Sequence, residues 1–138
     1  MISVRSVLKK KEQSSISGLC GVLVIMDGGV YLLDEFLEKP WQATPSIKIA
    51  ITDLKYALML QLAQMGGGSS IFFHKAIIDG NWNGAFLEPT TILSKDVKNG
   101  DWREIDFSSE TIEKGKGRYK HLDSLDEEIV DFWTNPHS

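Results

Sequence analysis

The chain has 138 residues and a mass of 15.5 kDa, with 42% hydrophobic and 25% charged residues, a length and composition that suffice to bury a core without a disulfide framework or a structural metal. A net charge of -4 and a pI near 5.3 exclude the global positive field of a dedicated duplex-binding protein. The single Cys20 excludes a disulfide scaffold, and between Gly18-Leu19 and Gly21-Val22 it reads as a small buried hydrophobe.

The amino terminus, MISVRSVLKKK, places its charges after the apolar residues and so does not read as a secretory leader. The longest uncharged stretch, residues 56–73, contains Gln61, Gln64, three glycines and two serines and cannot cross a hydrocarbon core as one helix. No membrane association is expected, and the cytoplasm is the expected compartment. Charge is uneven along the chain. Residues 1–12 hold four basic side chains against one acidic, whereas residues 101–138 hold five against ten. The expectation is a single domain, 1–138, with a core at about 14–94 and an appended acidic segment at about 101–138.

Residues 17–26 (SGLCGVLVIM) form an apolar, β-branched run that stops at Asp27-Gly28-Gly29, and the apolar pattern resumes at residues 30–33. Asp-Gly supplies the positive φ angles of a tight hairpin turn, so these are strands one and two. Gly18 and Gly21 predict a bulge or sharp bend in the first. Residues 36–45, with two prolines, form a loop. Ile47, Ile49 and Ile51 then alternate with Lys48 and Ala50 as strand three over residues 46–52. Residues 53–65 (DLKYALMLQLAQM) fit either period, but Leu, Ala, Met, Gln and Lys favour helix, with Thr52 or Asp53 to cap it and Gly66-Gly67-Gly68 to stop it. Residues 70–78 read as strand four, 79–84 (DGNWNG) as a polar turn, and 85–93 as strand five, with Pro89 marking an edge or a bulge.

In the appended segment, residues 102–107 (WREIDF) alternate as an extra edge strand, and residues 114–121 (KGKGRYKH) lack an apolar period and are expected as an exposed loop. Leu122, Leu125, Ile129, Val130 and Trp133 fall on one face of a C-terminal helix, with Ser124 and Glu127 at capping-box spacing. Asp126, Glu127, Glu128 and Asp131 lie elsewhere on that helix, as a solvated face does.

The fold class expected is therefore mainly β with helices. Three strands, one helix and two further strands, the first broken by glycine, resemble the OB-fold, a five-stranded Greek-key barrel; here the single helix would lie between strands three and four, with a C-terminal helix appended. The resemblance covers about residues 14–94 and rests on element order; other small barrels and α+β sandwiches share that order.

Signatures with an enzymatic mechanism are missing: the sequence has no HExxH, no paired CxxC and no GxSxG elbow. The Gly66–Ser70 run follows a helix and precedes a strand, the reverse of a phosphate cradle. His74, His121 and His137 make no ligand set, and His74 inside a strand reads as structural. Asp34 and Glu35, being adjacent, would point to opposite faces of a strand and cannot pair as acid and base. No enzyme activity, cofactor or metal is expected; an enzyme with an unfamiliar site is the third reading.

The resemblance gives Trp82 a role, because the connection between strands four and five is where OB-folds carry ligand contacts. Trp41 and Tyr31 are further stacking candidates, with Lys39 and Lys48 able to contact phosphates. Two basic clusters compete: Lys9-Lys10-Lys11, and Lys114, Lys116, Arg118 and Lys120 around Tyr119, whose plain reading is a solvated loop that balances the acidic helix. The expected function is a small binding module holding single-stranded nucleic acid or another extended ligand. The alternative is an acidic protein-interaction or antidote-like inhibitor domain that masks a basic partner protein.

Overall fold

The computed structural model describes residues 2–62, 74–95 and 100–119. It is mainly β with three helices: seven strands in one mixed sheet whose pairings turn back on themselves as a ring, compatible with a barrel-like fold. The elements are β1 (Ile2–Ser3), α1 (Val4–Leu8), β2 (Ser14–Met26), β3 (Gly29–Leu33), β4 (Ser46–Ile49), α2 (Leu54–Gln61), β5 (His74–Trp82), β6 (Phe86–Lys95), β7 (Trp102–Glu104) and α3 (Ser109–Tyr119). β2 pairs antiparallel with β3 along one part of its length and with β5 along another. β3 pairs with β4, β4 runs parallel to β6, and β6 returns to β5.

The β2–β3 hairpin forms where the sequence expects it. Asp27 (φ 52°) and Gly28 (φ 75°) both take positive φ, the requirement of a two-residue turn whose twist matches its strands. β2 is 13 residues long and serves two partners because it bends. Its register against β5 shifts between Ile16 and Leu19, and Gly18 sits in that shift with φ 72°. Gly21 meets a different demand: a Cβ there would lie 2.4 Å from the Leu33 carbonyl oxygen.

Inward alternation builds the core. Leu19 and Leu23 of β2, Val30 and Leu32 of β3, Ile47 and Ile49 of β4, Ile78 and Trp82 of β5, and Leu87 and Ile92 of β6 are all buried in one cluster. Val4 and Val7 of α1 and Leu54, Ala57 and Leu58 of α2 pack against the same cluster. Burial of this kind contributes on the order of 25 cal/mol per Å² of apolar surface.

Residues 53–65 resolve in favour of helix over Leu54–Gln61, while 63–65 lie outside the described residues. So do 70–73 of the expected fourth strand and the whole expected helix at 122–133. Strand three ends at Ile49, short of Thr52. The extra edge strand is β7, only Trp102–Glu104, paired with β6.

Two expectations are corrected. Residues 79–82 do not turn; they continue β5, and the chain reverses at residues 83–85. The polar letters belong to the outward face of a strand, where Ile78, Gly80 and Trp82 are buried and Asn81 is exposed. The Asp79 carboxylate there accepts from the Gly18 N–H at 2.8 Å and the Thr91 hydroxyl at 3.0 Å. Pro89 is accommodated at a register shift opposite Gly80, where a Cβ would meet the Glu88 carbonyl oxygen at 2.3 Å. Residues 114–119 are likewise no loop but the second half of α3. The helix needs no long apolar stripe, because Gly115 lets it lie on the backbone of α2, with a would-be Cβ 2.3 Å from the Tyr56 carbonyl oxygen. α1 has no counterpart among the sequence expectations; Ser3 caps it by accepting from the Ser6 N–H.

Candidate ligand-binding face

The outward positions of three neighbouring strands line up. On β3, Val30 and Leu32 point into the core, so Tyr31 between them points out; Lys48 on β4 and Phe86 on β6 follow by the same alternation. The register pairs Tyr31 with Lys48 and Lys48 with Phe86. Strands pair about 4.8 Å apart, so the three side chains form one row across the sheet: aromatic, cation, aromatic. Lys48 is exposed and the two rings are half-buried. Gly29 leaves room beside the row, since a Cβ there would stand 3.3 Å from Tyr31 Cε2.

The Phe86 end is fixed by the turn before it. Asn83 Oδ1 accepts from the N–H groups of Ala85 and Phe86, both at 2.8 Å. The basic segment Lys9–Lys11 runs past this turn. Trp82 Nε1 donates to the Lys10 carbonyl at 2.9 Å, and the Lys11 carbonyl oxygen lies 3.2 Å from where a Gly84 Cβ would be. Three exposed lysines therefore lie on a backbone anchored beside the turn that precedes Phe86.

The other sequence candidates take different places. Trp82 is not an exposed platform at a turn tip; it ends β5 inside the core at 2% exposure, its indole N–H satisfied by Lys10. Trp41 is half-buried in a 3-10 turn (Trp41–Ala43) in the β3–β4 connection, and Lys39 is exposed just before it. That connection leaves β3 at Leu33, opposite Ser46, two residues along from the Tyr31–Lys48 pair. Lys114, Lys116, Arg118 and Tyr119 sit on α3, in the layer it forms with α2. Lys116 is committed to Asp53 at 3.3 Å, Arg118 lies over the Tyr119 ring at 5.4 Å, and Lys120 is outside the described residues. Tyr31 and Lys48 are therefore the two candidates brought together. Phe86 was missed, and the signal for it was the parallel β4–β6 pairing, which no local pattern reveals.

His74 is buried, with Nδ1 3.3 Å from the Lys95 carbonyl oxygen. Burial, reinforced by the Glu35 charge, pushes the Cys20 thiol up, away from the thiolate form. Asp34 is buried and paired with Arg5, whereas Glu35 is exposed. No group of three or more His, Cys, Asp or Glu that could hold a metal occurs among the described residues. A shallow open depression is lined by Thr90, Glu104, Ile105, Asp106, Phe107 and Ser108, and its Asp106 carboxylate is engaged by the Ser108 N–H and the Thr111 hydroxyl. No helix of the described residues is long and apolar enough to cross a membrane.

No family model matches this chain, and no curated protein or solved structure is significantly similar to it.

Proposed function

We propose that the chain is a non-enzymatic binding module that holds single-stranded nucleic acid along the Tyr31–Lys48–Phe86 row, on an OB-like Greek-key barrel formed by β2, β3, β4, β5 and β6. The strand pairings and the position of α2 between β4 and β5 support the barrel reading. In that architecture the ligand lies across the second and third strands, flanked by the first hairpin turn and the turn between the last two strands. Here these are β3 and β4, flanked by Asp27–Gly28 and residues 83–85.

The observation that carries the reading is the register itself. Bases stack on aromatic faces in a sequence-tolerant way, contributing about 1–3 kcal/mol each, while a lysine between the rings meets the phosphate. A net charge of -4 opposes an anionic ligand at long range, so binding depends on the local cluster of Lys48 and Lys9–Lys11 and weakens as salt screens it.

An anisotropy titration of the full chain with a labelled mixed-sequence oligonucleotide tests this. At low salt the single strand binds in the micromolar range and the matching duplex binds more weakly. Absence of any single-strand binding at tens of micromolar (order-of-magnitude limits,) overturns the reading.

A further inference from the structure

Among the described residues the row across β3, β4 and β6 holds two rings, and it ends on both sides of them. Beyond Tyr31 the register places Val24, which is 1% exposed, and beyond Phe86 the neighbouring strand has ended at Trp82, opposite Leu87. Tyr31 and Phe86 stand two strand spacings apart, about 10 Å, with Lys48 between them. The Tyr31 ring does not lean into that gap. It lies along its own strand, with Cε2 3.3 Å and Cζ 3.8 Å from where a Gly29 Cβ would be.

Neighbouring bases of a stacked strand are about 3.4 Å apart, so two consecutive bases cannot lie on separate rings of this row and on each other. A pair still stacked on each other cannot bridge the rings either, because the exposed Lys48 occupies the middle position. We propose that the row takes two consecutive nucleotides with their bases splayed apart, one over Tyr31 and one over Phe86, and their shared phosphate on Lys48. The chain therefore selects strands whose bases stack weakly on one another, oligothymidylate over oligoadenylate. This rests on the reading of the row as a single-strand site and adds the composition it favours. Seating two neighbours on separate rings breaks up to three base–base contacts and makes two base–ring contacts, so a strongly stacking base loses on balance. Thymines give up little in the exchange, and adenines give up the most.

Anisotropy titrations of the full chain at one low salt concentration, with labelled oligothymidylate and oligoadenylate of about eight nucleotides beside the mixed-sequence strand, test this. Oligothymidylate binds at least about fivefold more tightly than oligoadenylate. Tyr31→Leu and Phe86→Leu each bring the two homopolymers to within about twofold of one another, whereas Tyr31→Phe and Phe86→Tyr keep the preference. Lys48→Ala weakens both homopolymers by a similar factor and leaves their ratio unchanged. Near-UV circular dichroism checks that each variant is folded, and the comparison on the unaltered chain stands without any of them. Oligoadenylate binding as tightly as oligothymidylate, while the mixed strand binds, overturns the splayed arrangement and leaves the single-strand site standing. A preference that survives in both folded leucine variants also overturns it, and absence of binding by all three strands overturns the site and this inference together.

Discussion

The indole Nε1 of Trp82 donates to the carbonyl oxygen of Lys10 at 2.9 Å, tying the last residue of β5 to the basic segment that follows α1. One side chain therefore fills the core and positions Lys9–Lys11 beside the Phe86 turn. Trp82→Phe keeps most of the burial and loses the hydrogen bond, at a cost of about 1–3 kcal/mol, whereas Trp82→Ala costs about 3–5 kcal/mol. Urea denaturation measures both. Because the lost hydrogen bond is the one that places Lys9–Lys11 beside the proposed row, Trp82→Phe also lowers oligonucleotide affinity at low salt.

Gly115 is where α3 touches α2. A methyl group there would lie 2.3 Å from the Tyr56 carbonyl oxygen, so Gly115→Ala forces the helices apart and destabilises by about 1–3 kcal/mol. Gly117, two residues on in the same helix, has nothing within 4 Å of its would-be Cβ, and Gly117→Ala stabilises by about 0.5–1 kcal/mol. Opposite signs in the thermal midpoints of the two variants distinguish a packing requirement from a shared helix-propensity effect.

Asp79 holds the bulge of β2 against β6. The Gly18 N–H and then the Thr91 hydroxyl, both donating to its carboxylate, draw its pKa below the ordinary 3.8. A carboxylate with a lower pKa folded than unfolded adds stability that is complete above the unfolded value and is lost as pH falls through the folded one. Stability measured by urea midpoint therefore declines below about pH 4, and Asp79→Asn flattens that decline. Some slope remains, because the Ser108 N–H and the Thr111 hydroxyl lower Asp106 in the same direction.

Much of the scaffold was legible because its signals are local. Asp27-Gly28 could only be a tight turn, Ile47 and Ile49 alternate around Lys48, and the composition of Leu54–Gln61 chose helix over strand. The failures share a cause. DGNWNG carries turn letters, yet a strand whose outer face is polar and whose neighbour approaches closely at Gly80 has the same letters. KGKGRY carries loop letters, yet glycine is what a helix needs where it lies on another backbone. Tertiary contact overrode propensity in both places. The proposed binding row is half legible: Tyr31 and Lys48 follow from alternation, whereas Phe86 joins them only through the parallel β4–β6 pairing, nearly forty residues distant in sequence.

The central claim is that the Tyr31–Lys48–Phe86 row meets the ligand, and amide chemical-shift mapping during titration with a short single-stranded oligonucleotide tests it most directly. Shifts centred on Tyr31, Lys48 and Phe86, reaching Lys9–Lys11 and sparing α3, are the predicted result. Shifts centred instead on Lys114–Arg118, or a spectrum unmoved by saturating oligonucleotide, would contradict it.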